Sequence, residues 1–200
     1  MNQRGFTWKK LSVCFVLTAF LLVSCGGGKI TEYSAKQVYQ DSRGKEGTHN
    51  IFVSHDKIRM EMRSPEGEDS MVMICRKDKG VAWILFPEKK AYSESKLDEA
   101  TLQKTFGAIQ DDVKKEELGR ETVNGFKCRK MRVETTSGIM GRKSVSTVWI
   151  SDRLDFPIKS QGKDGGVVEL REIRAGRQPS NLFEIPAGYT KRKIPFFGLG

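Results

Sequence analysis

The chain has 200 residues and a formal net charge of +10, with four cysteines and two histidines. This length fits one domain and excludes an assembly of several large ones. A basic chain of this kind raises the question of an anionic partner, such as a nucleic acid, a membrane surface or an acidic polymer.

The first 24 residues have the three parts of an export signal. Arg4, Lys9 and Lys10 form a basic start without any acidic residue, and an apolar run of 13 residues follows at 11–23. A transmembrane helix needs roughly 20 apolar residues, so this run is too short to span a bilayer. The segment therefore predicts a signal peptide over residues 1–24.

The apolar run ends in Leu22-Val23-Ser24-Cys25, and three glycines follow. This segment resembles the lipobox of bacterial lipoproteins, in which an aliphatic residue and two small or aliphatic residues precede the acceptor cysteine. The resemblance implies that Cys25 carries a diacylglyceryl thioether, becomes the first residue after cleavage and is acylated on its amine. Residues 25–29 would then be a lipidated tether and 30–190 the folded domain. The alternative is an ordinary signal peptide with a chance cysteine.

The residue after Cys25 is Gly26 and not aspartate. In Gram-negative lipoproteins an aspartate at this position resembles an inner-membrane retention signal, so its absence favours the periplasmic face of the outer membrane. Export to the cell envelope largely removes nucleic acid as a partner. The anionic partners that remain are lipid head groups, lipopolysaccharide phosphates and acidic polymers, unless the basic charge is an ordinary solvated surface.

Hydrophobicity with a period of two begins soon after the tether. Residues 57–63 alternate Ile58, Met60 and Met62 with charged residues, which predicts an antiparallel strand with one buried face. Residues 71–75 and 81–86 are apolar on both faces and predict central strands. Weaker patterns predict strands at 33–40, 50–54 and 91–92, with turn-forming residues between them, as in an antiparallel meander.

A helix is predicted next. Ser95 to Asp98 resembles a capping box, and Leu102, Phe106 and Ile109 follow at helical spacing. This single apolar stripe must lie on the sheet. The second half returns to strands, predicted at 113–118, 126–134, 143–150, 157–158 and 167–173, and Asn-Gly at 124–125 predicts a tight turn. Residues 191–200 form a basic and aromatic tail, which either contacts anionic lipid or frays.

Several segments resemble those of one known family and occur in the same order. They are 58–61, 81–87 with Tyr92, Glu-Thr-Val-Asn-Gly-Phe-Lys-Cys at 121–128, 148–151 with 156–158, and Asn-Leu-Phe-Glu-Ile-Pro-Ala-Gly-Tyr at 181–189. Together they resemble the DUF4412 and LolA-like lipoproteins over most of residues 33–190. The resemblance implies a mainly β (α+β) fold, a strongly curved antiparallel sheet or incomplete barrel with one or more helices covering its concave face. The carrier LolA and its receptor LolB use that concavity for acyl chains.

The residues expected to line such a concavity are mostly flexible or aromatic. Methionine side chains adapt to varied apolar shapes, so a cluster of them suits a binding surface. The predicted lining residues are Met60, Met62, Met71, Met73, Trp83, Leu85 and Trp149. We therefore expect a non-catalytic module for an apolar ligand, such as a lipid or acyl chain. Two alternatives stay open. One is that these side chains simply fill the core, and the other is that the protein is an interaction or structural lipoprotein with an unknown protein partner.

The remaining chemistry is sparse. Cys75 and Cys128 are an even pair in an oxidising compartment, so they form either a disulfide or two buried thiols. No nucleophile elbow, metal-ligand spacing or phosphate-binding glycine motif is present, and His49 and His55 with Asp56 would bind metal only weakly. The sequence therefore predicts no enzyme activity, no metal and no cofactor.

Overall fold

The computed structural model describes residues 28–63, 70–97, 114–137, 142–154 and 156–192. These residues form one large, curved and open sheet that is almost entirely antiparallel. Its twelve strands are β1 (Glu32–Gln40), β2 (Glu46–Ser54), β3 (Lys57–Arg63), β4 (Ser70–Arg76), β5 (Val81–Phe86), β6 (Ala91–Lys96), β7 (Lys114–Val123), β8 (Phe126–Ser137), β9 (Arg142–Ile150), β10 (Lys159–Gly162), β11 (Val167–Ala175) and β12 (Thr190–Lys191).

The strand order is β12-β6-β5-β4-β3-β2-β1-β11-β10-β9-β8-β7. Two meanders, β1 to β6 and β7 to β11, are therefore joined where β1 pairs with β11. The sheet does not close, because β7 and β12 stand at its two edges. Only β12 pairs in parallel, with β6, through Thr190 opposite Ala91 and Lys191 opposite Tyr92. The predicted mainly β fold with a strongly curved antiparallel sheet is confirmed, and the sheet reaches Lys191, one residue past the predicted end of the domain.

Local chemistry explains the clearest elements. In β3 the buried Ile58 and Met60 alternate with partly exposed charged residues, so one face is apolar and buried while the other is polar and only partly covered. The turn between β7 and β8 has φ of 48° at Asn124 and 80° at Gly125, the left-handed region that a tight hairpin requires at both central positions. Both predictions are confirmed.

Each face of the β3–β5 region carries its own packing cluster. The larger cluster includes the side chains on one face of β1 to β5, and we call this face the methionine face. Its buried members there are Tyr33, Ala35, Ile51, Val53, Ile58, Met60, Met73, Cys75 and Ala82. The opposite face carries Val72, Ile74, Trp83 and Leu85, which pack against Phe183.

Some predicted boundaries differ from those in the structure. The predicted strand at 157–158 begins instead with β10 at Lys159–Gly162. Pro157 has no N–H for a ladder, whereas Ile158 donates to the carbonyl oxygen of Trp149 at 2.8 Å and accepts from Leu170 at 2.7 Å. Ser95 was expected to start a helix but lies in β6, which runs on to Lys96. Other predictions fall outside the described residues, namely the signal peptide 1–24, Cys25, the helix with Leu102, Phe106 and Ile109, and the tail beyond Arg192.

Candidate functional site

Four methionines form two facing pairs on neighbouring strands. Met60 of β3 lies opposite Met73 of β4, and Met62 lies opposite Met71. Met60 is 7% exposed and Met73 is 5% exposed, whereas Met62 and Met71 are only partly buried. The structure therefore brings the four predicted methionines together as one stripe, which is buried at Met60 and Met73 and partly open at Met62 and Met71, where β3 ends and β4 begins.

Tyr39 of β1 and His49 of β2 form an aromatic pair, which lies at the same end of the sheet as Met62 and Met71. The rings of Tyr39 and His49 stack with centroids 4.8 Å apart, and the Tyr39 ring lies directly over Gly47. Burial lowers the pKa of His49, and its buried Nδ1 has no hydrogen-bond partner. A neutral imidazole with an unused ring nitrogen can form a hydrogen bond with a polar group that comes within reach of that nitrogen.

Trp83 and Leu85 do not lie with the methionines. Trp83 pairs with Ile74 and Leu85 with Val72, so both point to the opposite face of the sheet. There they are covered by residues 180–189, which we call the strap and which begin with a short 3₁₀-helix at Ser180–Phe183. Phe183 is 1% exposed in this cluster. The expectation that all seven lining residues share one surface is therefore wrong for these two.

A buried arginine fastens the strap. Arg76, which is 4% exposed, binds Asp78 through two hydrogen bonds of 2.8 and 2.7 Å. It also donates to the carbonyl oxygen of Phe183 at 3.1 Å and to the carboxylate of Glu184. Lys79 reaches the second oxygen of Glu184 at 3.2 Å. Arginine suits this position because its planar fork satisfies several acceptors at once.

The titration of these carboxylates follows from the same contacts. Hydrogen bonding from Arg76 lowers the pKa of Asp78 despite an opposing effect of burial. For Glu184, burial raises the pKa, but the hydrogen bonds and positive charges of Arg76 and Lys79 together outweigh it and lower the pKa. Both side chains are therefore ionised at neutral pH, and the Arg76 guanidinium stays charged.

Trp149 belongs to the same buried cluster as Met60 and Met73 but has a different environment. The ammonium groups of Lys130 and Lys159 lie 5.1 and 5.0 Å from the centroid of its ring. These lysines are its ladder partners on β8 and β10, and Trp149 donates its indole N–H to Glu121 at 2.5 Å. The two cation–π contacts and the hydrogen bond hold the ring in place.

Cys75 and Cys128 are both free thiols in the structure, and both are buried in the larger cluster. The disulfide alternative is therefore not formed here. Burial raises the pKa of Cys75 to about 12 and also raises that of Cys128. Neither thiol has the thiolate character of a nucleophile or metal ligand.

A polar cavity of about 440 Å³ lies elsewhere, between β8, β9 and the turn after β10. It is lined by Arg132, Glu134, Val145, Ser146, Thr147, Gln161, Gly162 and Lys163, and so by none of the predicted lining residues. Across the residues that the structure describes, no three His, Cys, Asp or Glu side chains converge in a way that could hold a metal ion. In the same part of the chain, none of the helices has the length and apolarity needed to cross a membrane.

The sequence alone does not reveal the contacts of Arg76 with Phe183 and Glu184 of the strap, which we call the arginine clasp, nor the pairing of Tyr39 with His49. Nothing in the immediate neighbours of Arg76 indicates that its partners in the strap, Phe183 and Glu184, lie 107 and 108 residues later in the chain. His49 was considered with His55, but they lie six residues apart in and just after β2, which is about 20 Å in an extended strand. His55 instead contacts Glu32 at 3.1 Å.

A family model described as "Domain of unknown function (DUF4412)" matches residues 37–155. No protein with a curated description matches the sequence. Two solved structures with TM-scores above 0.5 illustrate the likeness in fold. An uncharacterized conserved protein from Thermus thermophilus is 10% identical with a TM-score of 0.55, and the match covers 82% of this chain and 91% of that one.

The match to PNGF-II has 11% identity and a TM-score of 0.51, and it covers 81% of this chain but only 31% of PNGF-II. A LolA-superfamily protein from Nitrosomonas europaea is 9% identical with a TM-score of 0.39, covering 78% of this chain and 90% of that one. At identities this low, the matches to PNGF-II and to the Thermus thermophilus protein concern the fold alone, and the LolA-superfamily match, with a TM-score under 0.5, carries no argument.

Proposed function

This chain belongs to the DUF4412 family, and from that premise we propose that it is a lipid-anchored protein of the cell envelope that binds an apolar ligand, such as an acyl chain, on its methionine face. The anchor is Cys25, and the most favoured location is the periplasmic face of the outer membrane. The proposed role is binding without catalysis, and the two described thiols, which are buried and have raised pKa values, are poor nucleophiles.

One observation carries the ligand part of the proposal. The methionine stripe continues from two buried residues, Met60 and Met73, to two partly buried ones, Met62 and Met71. An apolar chain laid along this end would complete the burial of the outer pair. Each buried methylene contributes about 0.8 kcal/mol, so a chain of several carbons would gain useful affinity from this contact alone. Unbranched thioether side chains can adjust their rotamers to such a chain.

A second candidate is an envelope protein-interaction or structural lipoprotein with a filled core. The observation that favours it is the depth of Met60 and Met73, each less than a tenth exposed. In that case the stripe is ordinary core packing, and the partner would contact another surface. The two candidates differ in whether Met62 and Met71 respond to an apolar ligand.

A fluorescent acyl probe separates them. The chain beginning at Gly26 would be titrated with a long-chain fatty acid carrying an environment-sensitive dye. We expect saturable binding, which Met62→Asn with Met71→Asn weakens about tenfold or more, because a polar amide replaces two apolar contacts. Leu118→Asn is the matched control, since Leu118 is 41% exposed on β7 at the far edge of the sheet. Equal binding by both variants, or no saturable binding by the wild type, would contradict the ligand proposal.

A further inference from the structure

The antiparallel topology gathers several loops at one end of the sheet, which we call the anchor rim. It comprises residues 28–31 before β1, the β2–β3 turn at 55–56, the β4–β5 turn at 77–80, the end of β6 at 96–97, the β7–β8 turn and the first residues of β8 at 124–127, the described residues of the β9–β10 connection, and residues 176–179 after β11. Backbone hydrogen bonds tie its parts together.

The incoming chain is part of this network. Ile30 donates its N–H to the carbonyl oxygen of Arg153 at 2.7 Å, and His55 donates to that of Thr31 at 2.9 Å. Lys77 donates to the carbonyl oxygen of Asp56, also at 2.9 Å. The first described residues are therefore fixed to the rim and do not lead away from it.

The length of chain between the rim and the proposed anchor is short. Gly28 lies three positions after Cys25. An extended chain spans at most about 3.6 Å per residue, so these three steps reach about 11 Å. This reach is close to the Debye length of about 8 Å at physiological ionic strength. If Cys25 carries acyl chains, the rim lies at the level of the lipid head groups.

The rim offers exposed positive charge to those head groups. Its exposed cations include Lys29, Lys77, Lys96, Lys127 and Arg177. The acidic groups near them are largely neutralised, since Asp78 and Glu184 bind Arg76, and Asp152 faces Arg129 at 3.2 Å. Two further acidic residues lie at the rim, Asp56 in the β2–β3 turn and Glu32 at the start of β1, whose carboxylate contacts His55 at 3.1 Å and accepts the backbone N–H of Gln178 at 3.2 Å. Lysines held near an anionic bilayer gain about 1 kcal/mol each.

We propose that the anchor rim docks on the anionic lipid surface, so that the sheet stands upright on the membrane. This orientation rests on the proposed lipid anchor. It also gives the binding face a direction, because Met62 and Met71 lie at the end of β3 and start of β4, opposite the rim. The partly open end of the methionine stripe then faces away from the bilayer, where a ligand carried by another protein would arrive.

Lysine footprinting of the full lipidated protein tests this orientation. The protein would be reconstituted into vesicles of equimolar phosphatidylethanolamine and phosphatidylglycerol, or of phosphatidylcholine alone, and acetylated with an amine-reactive reagent. On the anionic vesicles we expect the rim lysines to react about fivefold more slowly than in detergent. The matched controls are four exposed lysines at the opposite end of the sheet, which should react equally in both: Lys45, Lys89, Lys90 and Lys163.

Charge reversal provides the second arm. Lys29→Glu with Lys77→Glu and Lys96→Glu should remove the protection of Lys127 on anionic vesicles, whereas Lys45→Glu with Lys89→Glu and Lys163→Glu should leave it intact. Equal reaction at both ends of an acylated protein would overturn the orientation while leaving the anchor standing. Equal protection on phosphatidylcholine would overturn recognition of anionic lipid. A mass spectrum without an acyl adduct on Cys25 would overturn the anchor itself, and the orientation with it.

Discussion

Removal of the Arg76 guanidinium is the perturbation for which the structure gives the clearest magnitude. In Arg76→Met the stem still packs, but the carbonyl oxygen of Phe183 loses its donor in a buried environment, which costs about 1–3 kcal/mol. Asp78 and Glu184 are partly exposed and regain water, so their lost pairing adds at most about 1 kcal/mol each. We therefore expect the variant to lose about 1–5 kcal/mol of unfolding free energy.

Urea unfolding measures this loss, and Lys79→Met is its control. Lys79 contacts the same Glu184 carboxylate from an exposed position, so its removal should cost less than about 1 kcal/mol. In a thermal scan each kcal/mol corresponds to about 2–4 °C in a chain of this size. Hydrogen exchange should rise in the strap before it rises in β3. If Arg76→Met destabilises no more than Lys79→Met, the clasp is not what holds the strap.

Three further outcomes follow from the structure. The pKa values of Asp78 and Glu184 are lowered on folding, so their contribution to the unfolding free energy is complete above about pH 4–5 and is lost as the pH falls through the lower pKa values of the folded state. In an acid titration, Arg76→Met should therefore lose less unfolding free energy than the wild type. Asn124→Ala should lower the unfolding free energy by about 1–3 kcal/mol in urea unfolding. The substitution removes a side-chain donor that lies 2.8 Å from the Leu170 carbonyl oxygen, and it places alanine at a position with positive φ. An unchanged midpoint would contradict this. Cys75, with its pKa of about 12, should resist an aromatic disulfide reagent at neutral pH until urea is added, and rapid labelling of the folded chain would show that it is accessible.

The sequence predicted the elements that obey a local rule. The alternation over β3 and the Asn-Gly turn after β7 required no information from elsewhere in the chain, and the bounds of β3 and β5 agree with the structure to the residue. The order of short family-like segments also predicted a curved antiparallel sheet. These predictions succeeded because strand periodicity and turn geometry are set by neighbouring residues.

The candidate site was harder, because it depends on contacts between distant segments. Residues 81–86 are apolar on both faces, so the pattern does not say that Trp83 points toward the strap and Ala82 toward the methionines. Residues 181–189 resemble a family segment, but the docking of the strap that they form depends on Arg76, more than 100 residues earlier in the chain. The methionine pairs were found because β3 and β4 are consecutive strands of a meander.

The most direct test of ligand binding uses the methionines as their own reporters. In a chain labelled with ¹³C at the methionine methyl groups, a fatty acid titration should shift the signals of Met62 and Met71 in a saturable manner. Met131, which is buried in a separate cluster on β8 and β9, is the internal control and should not move. Saturable shifts confined to the stripe would support an apolar ligand on this face. No shift at any methionine, or equal shifts at Met131, would contradict it.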